Sequence, residues 1–425
     1  MLYKTGRIII LFLILITSNC LYARQGWYQL NTGFSINYYS VHFIDSNTGI
    51  ACSNGSVAKT TNGGNNWELY NTGFANRITD IKMLSKNKIV GVCDGGLIIK
   101  STNGGVNWFS VFTSPPGFIY MINLVFPDTL NGYAVAQTNS QTGNLYRTSN
   151  GGDNWIMSYV NNPKYVSFSS PSTGWIHGSY TLGPPFNTYH MAVYKTTNSG
   201  LNWNPEYDFQ TASINPGPVF FVNELTGYKV MQLGNVYIGK SNTGGSDWSN
   251  VFSTSNEVNS VYFVNANRGW FARENGKILF TSDGGTSFSE QNSSVTTNLY
   301  CVYFLNDSTG WIATSNGIIL KTNTGGITKI SVTADFIPGN FYLSQNYPNP
   351  FNPSTRLEFG ISNLGFVNLK VYDIIGKEVA VLVNERLSPG SYEAEFNGAD
   401  LPGGVYFYKL ESENFIETRR MLLLK

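Results

Sequence analysis

Apolar and polar residues alternate along this chain in short runs, and no segment repeats apolar residues at the spacing of a helix face. Ser40-Val41-His42-Phe43, Ser260-Val261-Tyr262-Phe263 and Cys301-Val302-Tyr303-Phe304 are typical. Each reads as a β-strand rich in branched and aromatic residues. A polar turn follows, then Gly and an aromatic or aliphatic residue. The pattern reads FIDSNTGIA from Phe43, FPDTLNGYA from Phe126 and FSSPSTGWI from Phe168. It recurs as FVNELTGYK from Phe221, FVNANRGWF from Phe263 and FLNDSTGWI from Phe304. MLSKNKIVGV from Met83 is a degenerate copy.

A second pattern interleaves with the first. KTTNGGNNW ends at Trp67, KSTNGGVNW at Trp108, RTSNGGDNW at Trp155, KTTNSGLNW at Trp203 and KSNTGGSDW at Trp248. FTSDGGTSF ends at Phe288 and a decayed KTNTGGITK at Lys329. Successive steps are 41, 47, 48, 45, 40 and 41 residues. A period in the forties with turn chemistry in every copy marks an array of equivalent supersecondary units. Four strands fit each unit, so the pattern predicts an all-β chain with a seven-bladed β-propeller. The turn pattern has a mechanical role. Asn62, Asn103, Asn150, Asn198 or Asp283 bonds its own turn, the glycines take positive φ, and the closing Trp or Phe anchors the hairpin. Gly26–Leu30 resembles the segment after each turn, so the chain enters part-way through a unit. That predicts a latch: the first strand pairs into the last blade, with Trp27 in the place of the Trp missing at Lys329.

Composition adds little charge to this picture. The 425 residues are 12% charged and 15% aromatic, with a net charge of +1. This excludes disorder and gives no electrostatic case for nucleic acid. Residues 1–23 read as a signal peptide, with Lys4 and Arg7 before the apolar run Ile8–Ile16 and Ala23 at the cleavage position. Cys20 follows a poor lipobox, which favours plain secretion, with no transmembrane segment after cleavage. Cys52, Cys93 and Cys301 remain, and Cys52 and Cys93 sit 11 residues before the first Gly of consecutive turns. They read as small buried residues rather than a disulfide.

Composition shifts after the last repeat. The propeller is expected over 24–335 and a linker over 336–340. Pro348, Pro350 and Pro353 then crowd into Tyr347-Pro348-Asn349-Pro350-Phe351-Asn352-Pro353. Alternating strands follow to the end, predicting a small immunoglobulin-like β-sandwich over 341–425.

The turn motif resembles the Asp-box, or bacterial neuraminidase repeat, with Asn in place of Asp in most copies. Its spacing is similar to that of the photosystem II assembly/stability factor propellers. The Asp-box resemblance implies architecture, not chemistry. The last domain resembles the type A C-terminal sorting domain of the type IX secretion system. The entry motif Tyr347–Pro353, the hairpin VNLKVYDIIGKEVAVLV with Tyr372, Asp373 and Gly376, PGGVYFYKL with Gly404 and Tyr406, and the terminal RRMLLLK carry that resemblance. It implies export through the type IX machinery by a bacterium of the Bacteroidetes–Chlorobi type, to the medium or the outer-membrane surface.

Chemistry is sparse. His42, His177 and His190 lack ligand spacing, so no metal site is expected, and no cofactor motif is present. Asp45, Asp80, Asp128, Glu224 and Asp307 read as solvated turn residues. Arg77, Arg147, Arg268 and Arg273, with Arg24 at the edge, do not follow the sialidase pattern of three arginines on a carboxylate. Spacing does single out one place. From the signature Gly to the turn motif the third, fourth and fifth copies span 18, 24 and 16 residues against 13 in the first. The excess lies between second and third strands, on the face opposite the turn motifs, and predicts long binding loops. Tyr180, Pro184, Pro185, Phe186, Tyr189 and His190 are the expected contacts. The sequence therefore reads as a secreted binding or scaffold propeller for a surface glycan or protein. The alternatives are a sialidase- or xyloglucanase-like glycoside hydrolase and a chaperone-like assembly factor.

Overall fold

A computed structural model describes residues 26–425 other than 139–142, 184–187, 212–214, 294, 327–329, 335–337, 388, 399–400 and 413–414. The expected signal peptide lies outside the described residues. The chain forms two compact units, Gln25–Thr328 and Lys329–Lys425. Every named element is a strand.

The first unit holds seven four-stranded antiparallel sheets, one per repeat. Blade 1 comprises Ser40–Phe43, Gly49–Cys52, Ser56–Thr60 and Glu68–Asn71 in spatial order. Blade 7 takes Leu299–Phe304, Gly310–Thr314 and Ile318–Thr322 from the end of the unit and Tyr28–Asn31 from its start. Leu30 lies opposite Ile319 in that ladder. First and last repeats thus share a sheet, and the ring closes through hydrogen bonds.

The Phe-turn-Gly pattern follows from cross-strand packing. In the third full copy the Phe126 ring covers Gly132 just beyond the end of the ladder, and in the other five of the six the Phe and Gly are directly paired, as Phe43 with Gly49. The ring folds over the glycine so closely that a Cβ on Gly49 would lie 2.5 Å from it, and one on Gly269 would lie 2.2 Å from Phe263. Blade 2 pairs Met83 with Ile89 instead. Its signature lost both partners together, because a flexible methionine leaves room for a side chain opposite.

The residue after the Gly joins blades. Trp311 of blade 7 stacks on Phe43 of blade 1 at 3.7 Å, Trp175 on Phe221 at 3.7 Å and Trp270 on Phe304 at 3.7 Å. The clamp Trp of the same blade meets the other side of each Phe edge-on, as Trp67 meets Phe43 at 6.1 Å and 90°. Each such Phe is sandwiched between two rings, worth about 0.5–1.5 kcal/mol per pair beyond area burial.

The turn motif bonds mainly to itself. Thr60 Oγ1 accepts from Gly64 N, and Asn62 Oδ1 from Asn66 N. Ser101 and Asn103 repeat this with Gly105 and Asn107, and Asp283 Oδ1 accepts from Ser287 N. Trp67, Trp108, Trp155 and Trp248 donate from Nε1 to the carbonyl of the second Gly of their own turns. Trp203 donates to Ser158 Oγ instead. The motif's leading lysine points outward from its blade. Lys100, Lys240 and Lys321 donate to the carbonyls of Gly151, Gly284 and Gly63 in the next blade. Cys52 and Cys93 are buried and free.

The second unit is a sandwich of two four-stranded sheets. Ile330–Ala334 pairs with Gly390–Asn397 in one of them. That strand was expected in the propeller, but its ladder belongs to the sandwich. Leu357, Phe359, Val367, Leu369, Phe396, Tyr408 and Leu410 form the core. The proline-rich entry segment binds the last strand. Phe351, 1% exposed, donates from its backbone N to Leu422 O and accepts from Leu424 N at its carbonyl. Asn349 Oδ1 accepts from Leu422 N. The Asp373 carboxylate accepts from the amides of Ile375 and Lys377, and Gly376 sits at φ 83°. Tyr406 donates to Pro402 O, and Tyr347 is exposed at the surface.

Candidate functional site

Antiparallel order places the Asp-box-like turns, between third and fourth strands, on one face of the ring. Hairpins between second and third strands fall on the other. The extra residues of the long copies build ladder rather than loose loop. In blade 5, Gly227–Leu233 pairs fully with Asn235–Ser241 and turns at Gly234. In blade 4, Gly174–Leu182 pairs with Thr188–Thr196. The second strands of blades 1 and 7 are only Gly49–Cys52 and Gly310–Thr314. Strand alternation continues through the insertions, so they extend the sheet as raised hairpins.

The blade 4 hairpin carries an organised side-chain cluster. Tyr180 and His190 face each other across the ladder with rings stacked at 4.8 Å and 12°. Both bond one carboxylate from the fourth strand. Tyr180 Oη donates to Asp208 Oδ2, and His190 Nδ1 lies 2.7 Å from Asp208 Oδ1. Thr188 Oγ1 is 3.1 Å from His190 Nε2. Burial, then the Asp208 carboxylate, raises the Tyr180 pKa to about 12, so its hydroxyl stays protonated. Leu182 is exposed on the same face as this cluster, and Tyr189 and Phe209 are exposed on the opposite face of the hairpin. Pro184, Pro185 and Phe186 lie outside the described residues.

The innermost strands surround a central cavity of about 380 Å³. Asp80 lies here, 8% exposed in the strand Ile78–Met83, which corrects its reading as a turn residue. Its Oδ1 accepts from Ser40 Oγ at 2.8 Å, Ile81 N at 2.8 Å and Lys82 Nζ at 2.6 Å, and its Oδ2 accepts from Leu124 N at 2.9 Å. One carboxylate therefore ties blades 1, 2 and 3 together. Asn123 accepts from Val166 N and Ser167 from Phe221 N, continuing the belt through blades 4 and 5. The missed signal was positional. Ser40, Asp80, Asn123 and Ser260 all stand three residues before the strand-ending Phe or Met. Asp45 and Asp128 do cap turns, accepting from Thr48 N and Asn131 N.

A second polar group is buried between blades 4 and 5. Lys229, 1% exposed, lies over the rings of Tyr207 at 4.1 Å and Trp248 at 4.6 Å. Burial lowers its pKa to about 7. His177, fully buried, contacts Gly217 O through Nδ1 at 3.0 Å, and burial followed by the Lys229 charge lowers its pKa to about 3.

The hydrolase alternatives find little here. Among the described residues lining the cavity Asp80 is the one carboxylate, whereas glycoside hydrolysis uses two. Arg77, Arg268 and Arg273 pair with Asp94, Asp307 and Glu290, and none lines the cavity. No group of His, Cys, Asp or Glu among the described residues has metal-site geometry.

Comparison with known proteins places both units. The sequence model of the secretion system C-terminal sorting domain matches residues 345–424. That of the photosynthesis system II assembly factor YCF48 matches 20–178 and 219–323, together more than half the chain. No curated protein sequence matches. Among solved structures, YCF48 from Cyanidioschyzon merolae is similar at 19% identity and a TM-score of 0.52, covering 70% of this chain and 98% of that one. A YCF48 bound to D1 peptide is similar at 18% identity and a TM-score of 0.54, over 71% and 98%. PorZ, a surface component of the type IX secretion system of Porphyromonas gingivalis, aligns over 93% of this chain and 60% of its own at 13% identity and a TM-score of 0.52. At these identities the structures speak to fold alone. The sorting domain marks the chain for type IX export, secreted or attached at the cell surface. On its repeats and its matched sequence, the chain belongs to the photosynthesis system II assembly factor YCF48 family and carries a C-terminal sorting domain after the propeller.

Proposed function

We propose that the exported propeller acts as a binding module that holds a protein ligand at the bacterial surface through the raised hairpin of blade 4. The observation that carries this reading is the Tyr180–His190–Asp208 cluster, fixed on paired strands with Leu182 exposed on the same face and Tyr189 and Phe209 exposed on the opposite face of the hairpin. Such a cluster offers flat aromatic surface and oriented polar groups with little entropy left to lose. Rigid strands position a contact better than a loop does. The solved relative bound to D1 peptide and the surface location of PorZ support a protein over a glycan.

The test is binding of the purified mature chain to intact cells of the source bacterium lacking their own copy. Saturable binding that is removed by treating the cells with protease and weakened by Tyr180→Ala with His190→Ala is the expected result. Binding unaffected by that double substitution would remove the hairpin from the site. Binding that survives protease and is lost with periodate would make the ligand a glycan.

A further inference from the structure

The central cavity has an imbalance of hydrogen-bonding groups. One residue from each innermost strand stands directly before the strand-ending Phe or Met and lines the cavity. Five of these carry donors, and of them Tyr303 spends its hydroxyl on Phe43 O, which leaves His42, Lys82, Ser167 and Tyr262. Lys82 uses one of its three N–H groups on Asp80 Oδ1. Asp80 has both oxygens occupied by Ser40, Ile81, Lys82 and Leu124. His42 Nδ1 accepts from Met83 N at 3.4 Å, which leaves the ring proton on Nε2. Ser167 Oγ accepts from Phe221 N, and its own proton has no acceptor among the described residues. Tyr262 has ring contacts but no hydroxyl partner among the described residues.

Burial is the largest influence on Lys82 and lowers its pKa, but the adjoining Asp80 carboxylate together with the nearby Cys301 and Cys52 offsets it and the net shift is upward. Burial and then Lys82 push His42 down to about 3, so this ring stays neutral with its Nε2–H as a donor. Among these four residues no acceptor is offered beyond hydroxyl lone pairs, which disfavours a cationic guest. Apolar surface completes the wall. Phe220 lies 5.4 Å from Tyr262 and Tyr303 lies 4.5 Å from His42, ring centre to ring centre. Tyr303 spends its hydroxyl on Phe43 O and presents only its ring.

We propose that this cavity is a second binding site, separate from the blade 4 hairpin, for a small organic carboxylate with a flat body. Its carboxylate accepts from Lys82 Nζ, with His42 Nε2 and Tyr262 Oη as further donors, and its body lies on Phe220. An ionised carboxylate is acceptor-only and complements a donor ring. The cavity of about 380 Å³ falls in the range of small-ligand pockets.

Calorimetric titration of the mature full chain tests this with matched pairs: 3-phenylpropionate against 3-phenylpropionamide, and galacturonate against galactose. The pairs separate an aryl acid from a uronic acid. At least one acid is expected to bind ~10-fold or more tightly than its neutral partner, the scale of one charge-assisted hydrogen bond. Lys82→Met abolishes that preference. Tyr262→Phe removes a hydroxyl with no partner among the described residues, so it is expected to leave folding intact, and it weakens the acid several-fold but not the neutral compound. Equal affinity within both pairs, or no heat from either acid at about 10 mM, would overturn the proposal.

Discussion

Trp27 stands edge-on to Phe304, ring centres 5.6 Å apart and planes at 83°. Trp155 meets Phe126 at 6.0 Å and 84°, and Trp248 meets Phe221 at 5.8 Å and 85°. A residue from the start of the propeller therefore takes against Phe304 the edge-on place that the clamp Trp takes in blades 3 and 5, as the sequence reading of the seventh motif expects. Its indole donates to Gln291 Oε1 rather than to its own turn, because it arrives on a different strand. Closure of the ring thus depends on packing as well as on the Tyr28–Asn31 ladder. Trp27→Ala is expected to lower stability by ~3–5 kcal/mol. Proteolysis should then cut first near the N-terminus, which a limited digest followed by mass spectrometry would show. A variant as resistant as wild type would mean that the latch is held by the ladder alone.

The Phe–Gly pair predicts a coupled substitution. Gly269→Ala places a methyl 2.2 Å from the Phe263 ring and should cost ~1–3 kcal/mol as overpacking. Adding Phe263→Met should recover part of that loss, as blade 2 does with Met83 and Ile89. Denaturant unfolding of the single and double variants gives the coupling. Strictly additive losses would contradict the account of why that signature decayed in both places together.

Lys229 predicts a pH dependence. Its folded pKa is about 7 against an ordinary 10.5. Between those values the unfolded chain binds the proton and the folded chain does not, so stability rises with pH across that window. Below about pH 7 both states are charged and the full cost of burying the ammonium remains. Lys229→Met should raise the melting temperature more at about pH 6 than at about pH 9, where the lysine is already neutral. An equal gain at both would show that the amine is solvated in the folded protein. His177 adds a separate acid limb: its folded pKa is about 3 against 6.5, so stability falls as pH drops through that range.

The sorting domain predicts an export phenotype. Phe351 anchors the entry motif to the last strand by two backbone hydrogen bonds and a buried ring. Phe351→Ala is expected to loosen the sandwich by ~3–5 kcal/mol and to reduce surface display while the propeller stays folded. Fractionation with antibody to the propeller reads this, and undiminished display would mean that the motif is read as a linear segment. Removing 341–425 should leave the protein in the periplasm.

Blade number, latch and sandwich were legible in the sequence because each rests on a repeated local rule. The Phe, the Gly and the clamp Trp report contacts within a blade or across one blade interface, so spacing alone reveals them. Asp80 was not legible. Its partners Ser40 and Leu124 are 40 and 44 residues away, and only the ring brings three inner strands around one carboxylate. Lys229 was hidden for the same reason, since Tyr207 and Trp248 converge on it from different blades. The long hairpins were located correctly on the ring. Their form was missed because pairing of Gly227–Leu233 with Asn235–Ser241 extends the ladder where loose loop was expected.

The measurement that bears most directly on the binding account is cell binding of mature wild type beside the Tyr180→Ala, His190→Ala double variant at matched melting temperature. Both residues sit on the raised hairpin and neither lines the central cavity. The account predicts saturable, protease-sensitive binding by wild type and a loss of ~10-fold or more in the variant, the size expected when an aromatic contact and its polar partner are removed. Equal binding by the two proteins, or none by wild type, would contradict it.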